Sequence, residues 1–396
     1  MIKNENIVCI SNTTWEGFYT KSTVQIMSLI AKNNTILFVE YPFTIKDLIF
    51  GLFGKNNVPV YRILGIKKRI LVKSTSFSST LFNLVVPPVF SIEFIKIECI
   101  HRFLLKLNVR IYQMCVKKTL TKLNMKNPII INAYNAIYGD HLFGKFQEKL
   151  HVFYCYDGPD VKRYGQRALL ADENFSKKVD GVIVTSDFLH NQKKEQNHNI
   201  SIVKNGVDFK TFNSMAKTEV KQANKRKKIG YVGSLDHRFD IEIVEYAIQN
   251  MPENDFEFVG ELMNKTIENR LAKYSNVKFK LPVKSNEVPG IMRNYDVGLI
   301  PYTITDYNKN IYPLKINEYL SVGVPVVLTT FAELPDFKEV VTFASNKELF
   351  YTAIKDEIEH DNITMIKKRI EFAKMNSWEN RANQFGNILE NLLSGK

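Results

Sequence analysis

Cysteines are few in this sequence, and their spacing excludes the common cysteine-based sites. The 396 residues contain four, scattered along the first half: Cys9, Cys99, Cys115 and Cys155. Zinc sites bring cysteines in closely spaced pairs, and disulfide scaffolds are short and cysteine-rich. We therefore expect reduced, buried thiols in a cytosolic protein.

Long apolar segments are also absent. No run of 18 apolar residues occurs, so the sequence predicts no membrane-spanning helix. The apolar segment at residues 7–10 is too short for the core of a signal peptide. The apolar content of 45% is nevertheless ordinary for a globular protein, so we expect a cytoplasmic chain with large cores.

Several motifs that would define other functions are missing. The loop after the first predicted strand, residues 12–19, has no G-x-G-x-x-G, which argues against a dinucleotide oxidoreductase. No nucleic-acid-binding motif is present. No Asp-x-Asp pair stands in a loop suited to a metal. We therefore predict no metal site, no cofactor and no nucleic-acid partner.

The positive charge lies in the first half of the chain. Residues 1–200 hold 27 Lys and Arg against 15 Asp and Glu, whereas residues 201–396 hold 27 against 26. A basic half suits an anionic lipid surface or a phosphate-bearing acceptor. A generic solvated surface is the alternative.

Alternating apolar strands and helices predict an α/β protein with parallel sheets. The length of 396 residues suggests two domains, and the polar, Lys-rich residues 209–228 suggest a linker between them. The expected strands are residues 6–11, 35–40, 128–132, 151–156, 181–186, 229–232, 256–259, 277–281, 297–301 and 324–330.

Two loops of the first half carry candidate site residues, because ligands of open α/β sheets bind beyond the carboxyl ends of strands. Trp15, Glu16 and Gly17 follow the first strand, although a plain turn explains them equally well. Asp157 follows the strand at residues 151–156. Since it precedes Gly-Pro, it is also an ordinary turn former.

Residues 92–123 predict one long helix in which apolar and basic side chains interleave. Such a helix suits contact with an anionic membrane surface. An ordinary outer helix of the domain is the alternative.

The second half opens with a strand and a glycine. After residues 229–232, Gly233 and the N–H groups that follow it, beginning with Ser234, can approach a phosphate. Arg238 is the cation nearest to this turn. Its alternative role is a surface ion pair with Asp236 or Asp240.

The most informative stretch is residues 310–330, NIYPLKINEYLSVGVPVVLTT. Pro313 suits the first position of a helix over residues 314–322, and Gly323 suits its left-handed cap. Lys315 is opposed by the helix dipole unless an anion such as a diphosphate occupies the helix N-terminus. Glu318 could accept hydrogen bonds from a ribose diol. A solvated Lys and Glu are the alternative.

The run P-x-K-x-x-E-Y-L-x-x-G-x-P-V-V, which begins at Pro313, resembles the donor-site signature of GT-B glycosyltransferases. It is similar to the family-4-like enzymes (glycosyl transferases group 1) of teichuronic-acid and exopolysaccharide biosynthesis. The resemblance implies that Glu318 binds the nucleotide ribose. The first Glu of the family's Glu-x7-Glu pair would stand at Asn310, and this departure leaves the stereochemistry open.

The resemblance also implies a GT-B fold of two Rossmann-like domains facing a central cleft. The first domain (residues 1–208) would bind the acceptor, and the second (229–376) the nucleotide-sugar. A final helix, residues 377–396, would cross back to the first domain. The implied donor-binding residues are Glu318, Lys315, Pro313, Leu314, Arg238, Gly233, Ser234, Tyr302 and Asn310, and the implied acceptor or cleft residues are Trp15, Glu16, Gly17 and Asp160.

The expected activity is metal-independent transfer of a sugar from a nucleotide donor, with UDP favoured. The acceptor would be a growing cell-surface glycan, such as capsule, O-antigen or teichuronic-type polymer, linked to lipid diphosphate. The enzyme would be cytoplasmic or peripheral on the inner membrane face. If the reaction inverts, Asp157 is the candidate catalytic base. The alternatives are an inactive GT-B scaffold that binds a partner or membrane, and a nucleotide-sugar 2-epimerase.

Overall fold

The structure is a computed structural model that describes residues 2–17, 21–55, 58–73, 81–159, 161–219 and 226–395. The chain divides into two compact units. Unit 1 comprises Met1–Val203 and Ala382–Lys396, and unit 2 comprises Lys204–Arg381. Each unit is built on one sheet, which agrees with the α/β fold class that the sequence predicts.

Unit 1 is built on an eight-stranded sheet of order β3-β4-β2-β1-β5-β6-β7-β8. All its pairs are parallel except the antiparallel edge pair β3–β4. Short runs of β-branched residues form the central strands, and nearly all of their side chains are buried, as expected of a sheet covered on both faces. The strands are β1 (Asn6–Ser11), β2 (Thr35–Val39), β3 (Ile70–Val72), β4 (Leu81–Leu84), β5 (Ile129–Ala133), β6 (Leu150–Cys155), β7 (Gly181–Val184) and β8 (Ile200–Ile202).

The helices of unit 1 connect these strands. They are α1 (Ser22–Ile30), α2 (Ile45–Leu52), α3 (Val60–Ile63), α4 (Glu98–Lys122), α5 (Ala136–Leu142), α6 (Val161–Tyr164), α7 (Gln166–Lys178) and α8 (Asp187–Lys193). The predicted helix over residues 92–123 therefore begins at Glu98, six residues later than expected. Residues 91–97 contain only a turn, and the segment before them is tied to α4 because the Asn108 side chain bonds the backbone N–H of Phe90 at 2.8 Å and its carbonyl at 2.9 Å.

Unit 2 is built on a six-stranded, fully parallel sheet of order β11-β10-β9-β12-β13-β14. The chain runs outward from β9 to one edge, and then resumes on the other side of β9 at β12. This reversal makes the carboxyl end of β9 the switch point where ligands of such sheets bind. The strands are β9 (Lys228–Val232), β10 (Asp255–Val259), β11 (Val277–Lys280), β12 (Val297–Ile300), β13 (Val326–Thr329) and β14 (Thr342–Ala344).

The remaining helices are α9 (Phe209–Asn213), α10 (Ile241–Asn250), α11 (Lys265–Leu271), α12 (Val288–Met292), α13 (Leu314–Ser321), α14 (Lys347–His360), α15 (Ile363–Met375) and α16 (Trp378–Ser394). Two short 3-10 helices, Asn308–Asn310 and Pro335–Phe337, also belong to unit 2. Most of α16 belongs to unit 1, where Phe385 packs edge-on against Tyr154 with ring centroids 5.3 Å apart.

The boundary between the units lies at Val203–Lys204 rather than within the predicted linker. The beginning of that linker forms α9, whose Phe212 is buried in the unit 2 core. Asp208 caps this helix by accepting a hydrogen bond from the backbone N–H of Thr211 at 3.2 Å. A capped helix with a buried aromatic side chain explains why this segment belongs to the domain. None of the helices in the described part of the chain is long and apolar enough to cross a membrane.

Candidate active site

The carboxyl end of β9 carries a glycine turn that is fixed from both sides. The backbone N–H of Gly233 donates to the Val259 carbonyl at 2.9 Å, and that of Leu235 donates to the Glu261 carbonyl at 2.8 Å. The buried Tyr231 hydroxyl donates to the Ser234 carbonyl at 2.9 Å. These bonds hold the backbone of Gly233 and Ser234, two of the predicted donor-binding residues, in one conformation.

Gly260, at the end of β10, was not among the predicted site residues, yet it touches this turn. A Cβ atom at Gly260 would lie 1.9 Å from the carbonyl oxygen of Gly233. A side chain therefore cannot be placed there without moving the turn. The sequence signal was present, since a glycine at the end of a strand suggests close approach of another backbone.

Helix α13 begins beside the turn with Pro313 as its N-cap residue, one position earlier than predicted. Among the described residues, no side chain caps this end, so the first backbone N–H groups, starting at Leu314, keep the capacity to bind an anion. Gly323 ends the helical segment with φ of +78°, as the sequence predicts. The Tyr319 hydroxyl anchors α13 to β9 by accepting from the Val232 N–H at 3.0 Å.

Lys315 lies over the glycine turn. A Cβ atom at Gly233 would lie 2.5 Å from the Lys315 Cε atom, which shows how closely the side chain crosses the glycine. Glu318 Oε2 lies 3.8 Å from Lys315 Nζ, and both side chains are about one-quarter exposed. The structure therefore brings Gly233, Lys315 and Glu318 together, with a cation and a carboxylate accessible beside an uncapped helix N-terminus.

Arg238 forms the ion pair that was the alternative interpretation of this residue. Its Nε and Nη2 atoms donate to the two carboxylate oxygens of Asp236 at 2.9 and 2.6 Å. Burial opposes ionisation of Asp236, but the hydrogen bonds from Arg238 outweigh it and lower the pKa of the carboxyl group. The guanidinium carbon also lies 5.4 Å from the ring centroid of Tyr302, which is buried. Much of the Arg238 charge is therefore neutralised within the loop.

Asn310 ends the 3-10 helix Asn308–Asn310, three residues before the Pro313 cap. Its side-chain amide donates to the carbonyl of Asp306 at 2.8 Å, so it stabilises its own loop. The side-chain oxygen Oδ1 of Asn310 is buried and has no hydrogen-bond partner among the described residues.

A pocket of about 70 Å³ lies at the carboxyl end of the unit 1 sheet. This volume exceeds the room needed for several water molecules. Its wall is mainly apolar and aromatic, with carboxylates at Glu93 and Asp172. Burial raises the pKa of Asp172 against the opposing charge of Lys193, with which it pairs. The aromatic residues of the wall are Tyr41, Phe90, Tyr134, Tyr138 and Tyr164.

Tyr134 has a strained backbone, which no local sequence pattern indicates. Its φ is +67°, a left-handed conformation that is rare for an aromatic residue. The ring stacks on Tyr156 with centroids 5.1 Å apart, and the hydroxyl donates to the Gly158 carbonyl at 2.8 Å. Strain held by several contacts beside a pocket is typical of a functional site.

The predicted unit 1 residues stand outside the wall of this pocket. Asp157 accepts from the Gly158 N–H at 2.9 Å and lies two residues before the pocket residue Pro159. Trp15 packs edge-on against Phe38 with centroids 5.0 Å apart. Exposed Glu16 pairs with Lys73, whose hydrogen bond lowers the pKa of Glu16, and Gly17 follows it as an exposed residue. Asp160 lies outside the described residues.

Comparison with known proteins finds a family match within the second unit. Residues 226–359 match the family model of glycosyl transferases group 1. The chain is also 27% identical over 168 residues to TuaH of Bacillus subtilis (strain 168), which is named as a candidate teichuronic acid biosynthesis glycosyltransferase. This match covers 40% of the chain and 42% of the relative, so it spans less than half of either protein.

Solved structures are similar over nearly the whole chain. A sucrose-phosphate synthase from Thermosynechococcus elongatus has a TM-score of 0.72 at 15% identity, with 99% of this chain and 100% of that one covered. Anabaena Alr3699/HepE in complex with UDP and glucose has a TM-score of 0.62 at 12% identity, with 98% and 99% covered. At these identities the similarity shows the fold, and it confirms the predicted GT-B class. The chain therefore has a GT-B fold, and its residues 226–359 match the glycosyl transferases group 1 model.

Proposed function

We propose that the protein is a glycosyltransferase that moves a sugar from a nucleoside-diphosphate donor, with UDP favoured, to a growing cell-surface glycan. The observation that carries the proposal is the site at α13. Lys315 crosses a fixed glycine turn beside a helix N-terminus that no described side chain caps, and Glu318 stands one turn further along the helix. Glycine backbone, cation and helix N-terminus together suit a diphosphate, and the carboxylate suits a ribose diol.

The chemistry requires stabilisation of the leaving diphosphate as its negative charge develops. Preorganised N–H groups and a fixed cation supply this stabilisation without reorganising during the reaction. In our proposal, Lys315 and the first N–H groups of α13 meet the phosphates, and the reaction needs no metal. EDTA should therefore leave transfer unchanged, whereas full loss with recovery on adding Mg²⁺ would contradict this point.

The pocket in unit 1 suits the sugar of an acceptor. Aromatic rings pack on the apolar faces of sugars, and carboxylates such as Glu93 accept hydrogen bonds from their hydroxyl groups. The identity of TuaH supports a surface polymer such as a teichuronic-type glycan, and we propose a lipid-diphosphate-linked acceptor at the inner membrane face. Asp157 stays our candidate base for an inverting reaction. For a retaining reaction, the leaving phosphate would take the proton.

Calorimetric titration with UDP, GDP, CMP and dTDP tests the donor site. We expect one diphosphate to bind, and we expect Lys315→Ala to weaken it about 10- to 100-fold, the range for a lost charged hydrogen bond. Glu318→Ala should weaken binding of the nucleotide, because the contact with its ribose is lost, and should leave the fold intact. Lys355→Ala is the matched control, because Lys355 Nζ lies 3.9 Å from Glu359 in a similar pair on the exposed side of α14. If no nucleotide binds the wild-type protein, the inactive-scaffold alternative replaces this proposal.

A further inference from the structure

Helix α2 of unit 1 is rich in apolar residues, yet it leaves most of them at the surface. Its sequence is IKDLIFGL, and none of its eight residues is buried. Leu52 is 61% exposed, and Phe53, which follows the helix, is 75% exposed. A capping box fixes the helix start, since Thr44 and Asp47 each accept a hydrogen bond from the other's backbone N–H. The helix is also held by Leu48, which packs against a small core cluster. Its other large aliphatic side chains, Ile45, Ile49 and Leu52, are exposed.

Neighbouring segments extend this exposed apolar surface. Lys46 Nζ of α2 lies 4.9 Å from the ring centroid of Phe94, which is itself 75% exposed. Lys67 Nζ lies 5.4 Å from the ring centroid of Tyr61 in α3. The adjacent Ile66 is 70% exposed. We call this surface the apolar face, and it comprises Ile45, Ile49, Leu52, Phe53, Tyr61, Leu64, Ile66 and Phe94. Such a surface on a single chain indicates an interaction site.

The segment that carries the apolar face is mainly basic. Residues 45–110 hold 11 Lys and Arg but only 3 Asp and Glu, a net of +8 out of +13 for the whole chain. Lys46 and Lys67 lie directly on aromatic rings of the face. Long basic side chains that cover apolar surface and reach outward suit the boundary between a hydrocarbon layer and anionic headgroups.

Helix α4, which the sequence offered for membrane contact, has its apolar side in the core. Leu105, Val109, Tyr112 and Val116 are buried in the unit 1 core cluster. Its exposed large apolar residues are Ile100 and Phe103 in the first turns, which are close in sequence to Phe94, and Met114 further along. The structure therefore moves the expected contact from the whole of α4 to α2, α3 and the segment around Phe94.

We propose that the apolar face docks on an anionic phospholipid bilayer. The apolar side chains of α2 would enter the headgroup boundary, and the surrounding Lys and Arg would contact lipid phosphates. Charge complementarity favours an anionic bilayer over a second copy of this chain. Two copies of the same basic surface would repel each other. The inference is independent of the proposed sugar transfer, since vesicle binding needs no donor.

Flotation with vesicles of phosphatidylcholine alone or with 30% phosphatidylglycerol as the probe tests the docking surface. We expect binding to the anionic vesicles, loss of binding at high salt, and at least tenfold weaker binding for Leu52→Glu/Phe53→Glu. Leu349→Glu is the matched control, because Leu349 is 50% exposed on α14 of unit 2. Lys55→Glu/Lys68→Glu keeps every apolar side chain and should also weaken binding, since both lysines are exposed.

Unchanged unfolding temperatures and unchanged nucleotide binding would show that the variants are folded and that only docking is affected. Equal flotation of wild type and Leu52→Glu/Phe53→Glu would overturn the proposal. A wild-type dimer in light scattering that this variant dissociates, without vesicle binding by either protein, would overturn it in favour of a second copy. Failure of nucleotide binding together with normal flotation would remove the proposed function and leave this inference standing.

Discussion

The contact between Gly260 and Gly233 allows a sharp test of the candidate donor site. In Gly260→Ala, the new Cβ would lie 1.9 Å from the Gly233 carbonyl oxygen. An unstrained carbon–oxygen contact is about 3.3–3.6 Å, so the turn must move by roughly 1.5 Å. The Gly233 N–H is bonded to Val259 at 2.9 Å, which resists that movement. We expect a stability loss of about 1–3 kcal/mol, the usual cost of overpacking, and a loss of nucleotide affinity.

Gly233→Ala should behave differently, although the substitution is the same. Its nearest new contact is the Lys315 Cε atom at 2.5 Å, near the end of a flexible side chain, and the next is the Tyr231 hydroxyl at 2.9 Å. Lys315 can swing away, so the loss of stability should be smaller than in Gly260→Ala. The displaced ammonium group would no longer cover the turn, and we expect UDP affinity to fall about tenfold.

Scanning calorimetry and titration with UDP measure both effects. Gly290→Ala is the control, because a Cβ there meets no described atom within 4 Å, and alanine within α12 should stabilise the protein by roughly 0.5–1 kcal/mol. Wild-type stability and wild-type UDP affinity for Gly260→Ala would refute the role of this contact. Equal stability losses in Gly260→Ala and Gly233→Ala would refute the distinction between backbone and side-chain clashes.

Three further predictions concern the supports of the fold. Burial opposes ionisation of Glu148, but hydrogen bonds from His151 and backbone N–H groups lower its pKa to about 2, so its stabilisation is present above pH 4.5 and lost towards pH 2. Glu148→Gln should therefore lower the unfolding temperature at pH 7 by an amount worth about 1–2 kcal/mol after solvent screening, and the loss should shrink at pH 3. Tyr319→Phe removes the hydroxyl that accepts from Val232 at 3.0 Å and should cost about 1–3 kcal/mol in calorimetry, whereas no change would contradict its anchoring role. Arg369→Met leaves the buried carboxylate of its partner Asp361 unpaired and should lower the free energy of unfolding by about 3–5 kcal/mol in urea. Arg369→Met/Asp361→Leu should recover most of this loss, because no buried charge then remains unpaired.

The parallel sheets and the donor-side elements were predictable because their signals are local. The strands of unit 2 are short segments rich in β-branched and aromatic residues, and this composition is independent of distant contacts. Pro313 and Gly323 bracket α13 for backbone reasons that hold in any sequence context, and only the role of Pro313 shifted by one position. The placement of Lys315 in the first turn was itself informative, because the helix dipole opposes a cation there.

The missed features depend on contacts between distant residues. The approach of Gly260 to Gly233 joins two loops that follow different strands, and no local pattern identifies the partner of either glycine. The unit 1 pocket gathers side chains from residue 12 to residue 172. The exposure of helix α2 has no local signal for another reason. An apolar segment of eight residues has the same composition in a core and on a surface. Only its position in the fold shows that Leu52 is exposed.

The pairing of Arg238 bears on how the proposed donor is held. Its two donating nitrogens are directed at Asp236, so the pair presents little net charge to a ligand. In our proposal, Lys315 is therefore the main cation of unit 2 for a diphosphate, supported by the helix N-terminus. The backbone N–H of Arg238 also donates to Asp236 Oδ1 at 2.9 Å, and its carbonyl accepts from the Thr303 N–H at 2.7 Å. These bonds, together with the ion pair, stabilise the loop that ends at α10. Arg238 thus orders the wall of the site, and Lys315 supplies the charge.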